Sequence, residues 1–554
     1  MRNLYSFLLF LLIANAANAQ FVFNKIEINP GPNSSNPRAI DTFNGKMIFI
    51  AATDTAGYEL YMSDGTQTGT TLLKNINPGS SGFSTPYENH VILDGNKYFF
   101  YADDGLHGNE LWMTDGTNTG TKMVKDIAAF GSSINPQHTM GAYKGAVYFS
   151  ADMGSSDYFL WKSDGTSAGT KQFKQIKDAS SFTNYNGKLY FIASDYFFKN
   201  RELWVTDSSS DGTMMVKDIN PGDGNAFPIN QQLIEYNGKL YFWADDGQHG
   251  YELWTTDGTA NGTIMVKDIW PGLGNSRLVP ELTLFNNKLY FAANDSIHGY
   301  ELWMSDGTSA GTNMVKDLYP GIRASKPSDI SPCNGKLYFS AMDTFNHGYE
   351  TWISDGTAAN TLMLKEIAPD TLSGMGSGFT AYKNHVFFQA PDSTGSMYKS
   401  RLWITDGTGI NTHSIAPIGA TVDSSLYSGN YGFSFYESFI YKGALFFPAN
   451  FDGAGMELWS LKDTTGASSI STTSQKLFSV YPNPSDGIFT LQLANTNFQH
   501  GSITMYDVTG KPVYLQEETP HATIHKIQLD APKGNYMLKL KLDDALLTKQ
   551  IVIE

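Results

Sequence analysis

The sequence predicts an all-β protein that combines a large β-propeller of about nine four-stranded repeats, closed by its N-terminal strand, with a small C-terminal β-sandwich. Three observations predict this fold class. One motif recurs along most of the chain at a nearly constant spacing, and the apolar segments around it are short and bounded by turn residues. The composition is 14% aromatic and includes 53 glycines. Such a composition is typical of β-strands joined by many turns.

The repeat is centred on an aromatic residue in segments such as ELWMTDGTNTGTKMVKDI, which begins at Glu110. Nine copies follow one another at spacings of 43 to 56 residues, and eight of the ten tryptophans occupy the central position. A repeat of this length indicates units that cannot bury their apolar faces alone and therefore stack on their neighbours. The central aromatic residues are Tyr61, Trp112, Trp161, Trp204, Trp254, Trp303, Trp352, Trp403 and Trp459.

Each copy contains four short segments with the composition of β-strands. In the sixth copy the predicted strands are residues 282–285, 288–292, 300–304 and 314–318, and Asn286-Asn287 forms a tight turn between the first two. Four antiparallel strands in a repeat of about 40–50 residues are typical of one propeller blade, because β-helices and leucine-rich repeats have shorter periods.

The two ends of the repeat region complement each other. The ninth copy stops after Glu457-Leu458-Trp459 and lacks a fourth strand, whereas the first residues after the predicted signal peptide, through 25–31, resemble a fourth strand with nothing before it. We therefore expect the N-terminal strand to complete the ninth repeat and to cover an otherwise exposed sheet edge.

A turn signal follows the central aromatic residue in the first eight copies and is absent from the ninth. An aspartate lies three residues after it, and a side chain of this type can hydrogen-bond to its own turn. The position eight residues after it holds only glycine or asparagine, which predicts a left-handed backbone there. The aspartates are Asp64, Asp115, Asp164, Asp207, Asp257, Asp306, Asp355 and Asp406. The glycine or asparagine positions are Gly69, Gly120, Gly169, Gly212, Gly262, Gly311, Asn360 and Asn411.

These motifs resemble the ELWxxDGT repeat family of secreted bacterial proteins. The resemblance covers about residues 21–461, and it is specific because the motif recurs. The resemblance implies no single activity.

The N-terminus has the pattern of a secretory signal peptide. Arg2 precedes an apolar stretch at residues 4–13, and Ala17-Asn18-Ala19 supplies the small residues of a cleavage site. The apolar stretch is too short to span a membrane. We expect residues 1–19 to be removed after Ala19, and no later segment predicts a transmembrane helix.

The composition changes after residue 461. Residues 462–475 are small and polar and predict a linker between the repeats, residues 20–461, and a compact β-sandwich at residues 476–554. The last segment resembles the type A C-terminal sorting domain of the type IX secretion system, although Lys549-Gln550 stands where two basic residues are common. The resemblance implies export through that machinery, then release or cell-surface attachment once this domain is removed. The motif residues are Tyr481, Pro482, Asn483, Pro484, Gly487, Gly510, Gly534 and Tyr536.

Histidines precede glycine in the loop between the second and third strands of four copies. In a propeller this loop shares one face with the segments that join successive blades, so these histidines border the expected ligand face. They could form a metal ring, but equivalent positions on a large ring are too far apart to converge on one ion. A hydrogen bond that braces each loop is the favoured interpretation. The four residues are His107, His249, His298 and His347.

Other ligand classes are weakly indicated. The adjacent pairs Asp103-Asp104 and Asp245-Asp246 could bind calcium, yet no twelve-residue calcium loop is present and turn formation is favoured. The repeated turn aspartates share one environment, which argues against acid–base catalysis by them. We expect no cofactor. A net charge of −16 disfavours nucleic acid, and the single cysteine, Cys333, permits no internal disulfide.

The sequence therefore favours a secreted or surface-attached module that binds a glycan or protein, or acts as a scaffold, without catalysis. Two alternatives stay open. One is an extracellular enzyme that acts on polysaccharide at the propeller centre, which an asymmetric cluster of acids with a histidine would favour. The other is a calcium-stabilised adhesin. The ligand, the blade count and any activity are not determined by the sequence.

Overall fold

The computed structural model describes most of the chain after residue 20. The predicted signal peptide, residues 1–19, lies outside the described residues, as do Pro482, Asn483, Pro484 and Gly510 of the sorting motif. The described residues are 21–553 apart from 80–89, 130, 136–137, 155–156, 197–198, 229–230, 346, 370–371, 392–399, 422–436, 465–477, 482–484, 486, 494–500, 508–510, 519–523, 530 and 543–544.

The chain divides into two compact units, Met1–Lys462 and Asp463–Glu554. The regular elements of both units are β-strands, so the all-β prediction is confirmed. Within the described part of the chain, no helix combines the length and apolar character that crossing a membrane requires.

The first unit contains nine consecutive sets of strands, of which the third and fourth share one strand and the ninth is completed from the N-terminus. The strands that form the first four sets are β2 (Arg38–Phe43), β3 (Lys46–Thr53), β4 (Gly57–Ser63), β5 (Thr71–Lys74), β6 (His90–Leu93), β7 (Lys97–Asp103), β8 (Asn109–Thr114), β9 (Lys122–Lys125), β10 (Gly141–Tyr143), β11 (Ala146–Ala151), β12 (Phe159–Ser163), β13 (Lys171–Tyr185), β14 (Lys188–Tyr196), β15 (Lys199–Thr206) and β16 (Met214–Lys217). The remaining strands are β1 (Phe21–Ile26), β17 (Ile234–Tyr236), β18 (Lys239–Asp245), β19 (Tyr251–Thr256), β20 (Ile264–Lys267), β21 (Thr283–Phe285), β22 (Lys288–Asn294), β23 (Tyr300–Ser305), β24 (Asn313–Lys316), β25 (Ser328–Cys333), β26 (Lys336–Met342), β27 (Tyr349–Ser354), β28 (Leu362–Lys365), β29 (Ser377–Tyr382), β30 (His385–Pro391), β31 (Ser400–Thr405), β32 (His413–Ile415), β33 (Phe439–Tyr441), β34 (Ala444–Ala449) and β35 (Glu457–Asp463).

The sixth set, β21 to β24, shows how the local sequence forms one sheet. Its strands begin and end within two residues of the predicted bounds. Asn286 and Asn287 have φ angles of 46° and 54°, so the predicted tight turn with positive φ is confirmed. In β22 the five residues between Lys288 and Asn294 are all buried. This continuous apolar run indicates a strand that is covered on both faces.

The third and fourth sets differ from the prediction of separate four-stranded sheets. They form one seven-stranded sheet because β13, with 15 residues, serves as the last strand of the third repeat and the first strand of the fourth. Register shifts interrupt its pairing with β14. The segment lacks the Pro-Gly that follows the fourth strand in repeats such as the sixth, which explains both the continuous strand and the short spacing of 43 residues.

Each set of strands shares a hydrophobic core with the next set. Trp303 of the sixth set, for example, packs in one cluster with Trp243 and Leu253 of the fifth. The same arrangement recurs through the unit, and Tyr61 of the first set packs in one cluster with Phe446 of the ninth. All nine central aromatic side chains are buried, with 4–8% exposure. Each set therefore shares a hydrophobic core with the next, and the ninth set shares one with the first.

The N-terminal strand occupies the place predicted for it. In the ninth sheet the strand order is β1-β35-β34-β33, so β1 supplies the missing fourth strand. The contacts between the ninth and first sets match those between consecutive sets elsewhere in the unit. The Tyr441 hydroxyl donates to the Gly45 carbonyl of the first set at 2.7 Å, as the Tyr236 hydroxyl donates to Asn287 at 2.7 Å.

The second unit consists of two sheets around one core. Buried side chains from both sheets, including Phe489, Ile527 and Leu538, share this core, as predicted for a small sandwich. A three-stranded sheet contains β36 (Phe478–Tyr481), β37 (Ile488–Leu493) and β40 (Ile524–Gln528), and a four-stranded sheet contains β38 (Gly501–Tyr506), β39 (Pro512–Glu518), β41 (Gly534–Leu542) and β42 (Ala545–Ile553).

Truncation of Ile26 tests whether β1 stabilises the first unit. Ile26 is 2% exposed and packs between the ninth and first sets, whereas Val22 of the same strand is 45% exposed. We expect Ile26→Ala to lower the free energy of unfolding by about 2–4 kcal/mol and Val22→Ala by less than about 0.5 kcal/mol, measured by urea denaturation. Equal effects of the two substitutions would show that β1 does not contribute to the shared core.

Candidate functional site

The loops between second and third strands adjoin the segments that join consecutive sheets. A Cβ atom on Gly299 would overlap the backbone of Arg323, and one on Gly250 would overlap the backbone of Gly274. Both glycines also have positive φ angles, 72° and 68°. The His-Gly motif is thus required for close approach as well as for backbone conformation. We call the surface made by these loops and joining segments the connector face; the Asp-Gly-Thr turns lie at the opposite ends of the strands.

Each of the four predicted histidines forms a hydrogen bond within its own loop. His298 Nδ1 lies 2.7 Å from Asp295 Oδ2, and His347 Nδ1 lies 2.9 Å from Asp343 Oδ1. The matching pairs His107–Asp104 and His249–Asp246 are each 2.8 Å apart. The hydrogen bond to the aspartate raises the pKa of each imidazole. This is the bracing interaction favoured from the sequence, and a ligand contact by these side chains stays a prediction.

The acidic pairs of the same loops are engaged in turns. Asp103 Oδ1 accepts a hydrogen bond from Gly105 N at 2.7 Å, and Asp104 Oδ1 accepts from His107 N at 2.9 Å. Asp245 and Asp246 make equivalent bonds. In the described ranges, no group of three or more histidine, cysteine or acidic side chains is arranged to hold a metal ion. Calcium binding therefore stays an untested expectation.

The eight turn aspartates hold the loop between the third and fourth strands. Asp257 Oδ1 accepts hydrogen bonds from Thr259 N at 2.9 Å and from Thr259 Oγ1 at 2.7 Å, and these bonds lower the pKa of the carboxyl. In all eight turns a hydroxyl donates to the aspartate at 2.6–2.7 Å. The interaction is local to the turn, as a side-chain turn brace requires.

The prediction of a left-handed backbone eight residues after the aromatic was wrong. None of the six glycines has a positive φ, and neither Asn360 nor Asn411 does. In the six glycine-containing turns, a Cβ at this position would overlap the turn carboxylate in its present position, as at Gly262 beside Asp257. Asn360 instead donates its Nδ2 to Asp355 Oδ2 at 2.6 Å, and Asn411 does the same with its aspartate. The recurrence of glycine or asparagine at this position therefore reflects the space beside the aspartate side chain, and the backbone conformation does not explain it.

A buried glutamate two residues before the central aromatic was missed by the sequence reasoning. Glu252 Oε2 accepts from Ile269 N at 2.9 Å and Oε1 accepts from Trp270 N at 3.1 Å. Glu301 also accepts from Ser325 Oγ at 2.6 Å. The glutamates thus connect the third strand to the segment that leaves the sheet. All seven have 0% exposure: Glu59, Glu110, Glu202, Glu252, Glu301, Glu350 and Glu457.

Burial changes the titration of these glutamates. It raises the pKa of Glu252 and of Glu301 to about 7 and that of Glu202 to about 8, although the amide hydrogen bonds act in the opposite direction. The signal was available in the sequence, because an acidic residue recurs at an otherwise apolar strand position.

The third repeat breaks this pattern, as does the eighth, which has Arg401 in the glutamate position. Phe159 stands in the glutamate position of the third repeat, and His138, Asp152, Asp178 and Arg201 form a different set of buried polar residues with 4–6% exposure. Burial lowers the pKa of His138 to about 4 and raises that of Asp178. Acids and a histidine in one asymmetric region were the expected mark of an enzyme, but these side chains are covered by protein.

The connector face exposes several large apolar side chains and one cleft. The cleft has a volume of about 510 Å³ and is lined by Tyr319, Arg323, Thr344 and Phe345. Single exposed apolar residues are ordinary on protein surfaces, and this set recurs in the loops and joining segments of one face. The set is Leu106 (85% exposed), Leu273 (78%), Ile297 (64%), Ile322 (79%) and Phe345 (68%).

The described part of the sorting motif shapes the second unit. Tyr481 ends β36, and Gly534 begins β41. Gly487, with a φ of 98°, precedes β37, and its carbonyl accepts from Leu529 N at 2.8 Å. Tyr536 is 6% exposed in the core and donates its hydroxyl to the Pro532 carbonyl at 2.5 Å.

Residues 479–554 match the family described as the secretion system C-terminal sorting domain. This match supports export by the type IX secretion system, and it indicates secretion and cell-surface attachment after processing. The partner predicted for the second unit, the type IX machinery, is thereby supported. No curated protein matches the sequence.

Comparison with solved structures gives distant similarities. A DUF3244 family protein with an immunoglobulin-like β-sandwich fold from Bacteroides vulgatus is 20% identical, with a TM-score of 0.13, and the alignment covers 15% of this chain and 88% of that one. A prolyl endopeptidase is 11% identical with a TM-score of 0.36, and a puromycin-hydrolyzing peptidase from Mycobacterium tuberculosis is 8% identical with a TM-score of 0.34. Each alignment covers 76% of this chain, but the chain spans only 55% and 60% of the two peptidases.

Substitution of Gly262 tests the side-chain explanation of the turn signal. We expect Gly262→Ala to lower the free energy of unfolding by about 1–3 kcal/mol, because the new Cβ overlaps the Asp257 carboxylate. In an Asp257→Ser background the same alanine should cost far less, as a double-mutant cycle of urea denaturation would measure. A cost that persists without the carboxylate would point to the backbone instead.

The buried glutamates predict a pH dependence of stability. Because their pKa values are raised from 4.5 in the unfolded chain to about 7 in Glu252, the stabilisation is complete below pH 4.5 and is lost as the pH rises through 7. We expect the unfolding free energy to fall between pH 5 and pH 8, with Glu252 contributing on the order of 1–3 kcal/mol.

Glu252→Gln should reduce this difference between pH 5 and pH 8, whereas Glu235→Gln, at an exposed position of β17, should leave it unchanged. Denaturation curves at both pH values provide the measurement. An unchanged difference in Glu252→Gln would mean that this carboxyl is already ionised at pH 5.

Proposed function

We propose that the exported protein is a recognition module that binds a glycan or protein ligand on its connector face. In this proposal residues 1–19 are a signal peptide, residues 462–475 are a linker, and the first unit is a nine-bladed propeller of the ELWxxDGT repeat type. The support for nine blades is the cycle of nine shared cores, with β1 completing the ninth sheet.

The observation that carries the functional proposal is the exposed apolar set of the connector face. Leu273, Ile297, Ile322 and Phe345 belong to neighbouring loops of three successive repeats and are 64–79% exposed. Large apolar side chains that recur on one face mark contact with another molecule. The loops that carry them are braced by the His–Asp hydrogen bonds, which hold the surface in place before a ligand arrives.

The repetition of the connector loops supports recognition over catalysis. Four loops contain a His–Asp hydrogen bond, and three of these pairs have the same three-residue separation, whereas a hydrolytic site needs two groups in different environments. A repeated surface is suited to binding an extended or repetitive ligand at several equivalent positions, which increases the overall affinity.

A glycan array and a polysaccharide hydrolysis screen on the purified mature protein would test this function. We expect binding without turnover, and we expect Leu273→Asp with Ile322→Asp to weaken it by at least about tenfold, since each change introduces charge into an apolar contact. Ile410→Asp is the matched control, because Ile410 is 90% exposed in a turn at the opposite end of the strands.

Other results of these screens, and a separate measurement of thermal stability in EDTA, would favour the alternatives. Turnover that is lost on substitution of one acidic residue would establish an enzyme. A large loss of thermal stability in EDTA would favour a calcium-stabilised adhesin, since a metal that binds the folded state stabilises it. Failure to bind any glycan, together with unchanged capture of protein ligands by the connector-face variant, would contradict the assignment of this face.

A further inference from the structure

We propose that the cleft lined by Tyr319, Arg323, Thr344 and Phe345 binds a carboxylate-bearing sugar residue at the end of a glycan chain. The inference rests on the proposed recognition function and names the chemical class of one ligand. The cleft lies on the connector face between the segment that follows β24 and the loop that follows β26. Its volume of about 510 Å³ lies in the range of small-ligand sites.

Arg323 supplies a cation with free donors. One guanidinium nitrogen, Nη1, donates to the Tyr319 hydroxyl at 3.3 Å, and the guanidinium carbon lies 5.8 Å from the centre of the Tyr319 ring. These contacts orient the side chain and use one of its five N–H donors. Of the described carboxylates, none forms an ion pair with Arg323. The planar fork that remains matches the two oxygens of a carboxylate.

Phe345 and Thr344 provide complementary contacts for a sugar ring. The Phe345 side chain is 68% exposed, so its ring is available to an apolar ring face of a ligand. Thr344 Oγ1 is buried and has no hydrogen-bond partner among the described residues. A buried hydroxyl without a partner is uncommon and can be satisfied by a ligand hydroxyl. An aromatic face beside hydroxyl and cationic donors suits a sugar better than an extended peptide.

The cleft is a departure from the repeat pattern. Position 323 corresponds to Gly274 in the preceding repeat, so the guanidinium is specific to this joining segment. The loop that carries Phe345 is also longer, because Asp343 and His347 are four residues apart whereas the Asp–His pairs of the other loops are three apart. The longer loop and the arginine both line this cleft. Two departures that meet in space indicate a site with its own selectivity.

The charge of the molecule restricts the ligand further. Asp343 is paired with His347, and Asp317 Oδ2 lies 3.4 Å from the Gly321 amide, so neither acid is paired with Arg323. The net charge of −16 repels polyanions, and one guanidinium cannot offset the repulsion of a densely sulfated chain. A short uronate-bearing glycan, with one carboxylate per sugar at most, therefore fits better than a densely sulfated polymer.

Isothermal titration of the full mature protein with trigalacturonate, galactotriose and an acidic tripeptide would test this inference. We expect trigalacturonate to bind, and we expect Arg323→Gly, which introduces the residue of the preceding repeat, to weaken it by at least about tenfold. Arg323→Lys should weaken binding by about threefold to tenfold, because lysine keeps the positive charge but cannot donate two parallel hydrogen bonds to a carboxylate. Phe345→Ala should weaken it by about fivefold or more through loss of the ring face.

Lys326→Gln is the matched control for loss of one positive charge, three residues from Arg323 and outside the cleft, and it should leave the affinity within about twofold. Equal binding of trigalacturonate by wild type and Arg323→Gly would overturn the proposal. So would equal affinity for galactotriose or the tripeptide, or no binding of trigalacturonate. If neutral glycans bind the array in a connector-face-dependent manner while trigalacturonate fails, this inference falls and the proposed function stands.

Discussion

The first unit depends on the packing of one aromatic side chain per repeat into a core shared with the preceding sheet. A four-stranded sheet whose second strand is apolar on both faces cannot be covered by its own repeat. Trp303 lies in the core formed with the fifth sheet, and Tyr61 lies in the core formed with the ninth. The N-terminal strand pairs with the last sheet, and the hydroxyls of Tyr236 and Tyr441 donate to backbone carbonyls of the following set.

The buried glutamates accept hydrogen bonds from backbone amides that this packing would otherwise leave unpaired. The segment that leaves each sheet has backbone amides with no strand partner, and burial of an amide without a hydrogen bond is costly. The carboxyl of Glu252 accepts from two successive amides, Ile269 and Trp270. Five of its six equivalents also accept from two successive amides, whereas Glu301 accepts from those of Leu318 and Ser325. The arrangement places a titratable group at the same point in seven repeats.

The repeated and the unique parts of the molecule have different roles. The Asp-Gly-Thr turns and the His–Asp loops recur with nearly constant geometry, which is expected of parts that hold the scaffold. The departures from the repeat, Arg323 and the longer loop of Phe345, gather at one cleft of the connector face. A third departure, the continuous strand β13 with the buried His138 and Asp178 nearby, is enclosed by protein. Selectivity on a symmetric scaffold arises where the symmetry is broken, and only exposed departures can provide it.

The sequence by itself determined the all-β class, the four strands of the sixth repeat to within two residues, the role of β1 and the sorting domain. It succeeded because these features depend on local patterns: alternating turns, a fixed period and ordered motifs. The tertiary structure alone decided why Gly262 is glycine, which residues Glu252 contacts, and that Arg323 and Phe345 face one cleft. These depend on atoms that the fold brings together from separate elements. A recurring glycine reads the same whether it avoids a strained backbone or makes room for a carboxylate, and only the positions of neighbouring atoms separate the two causes.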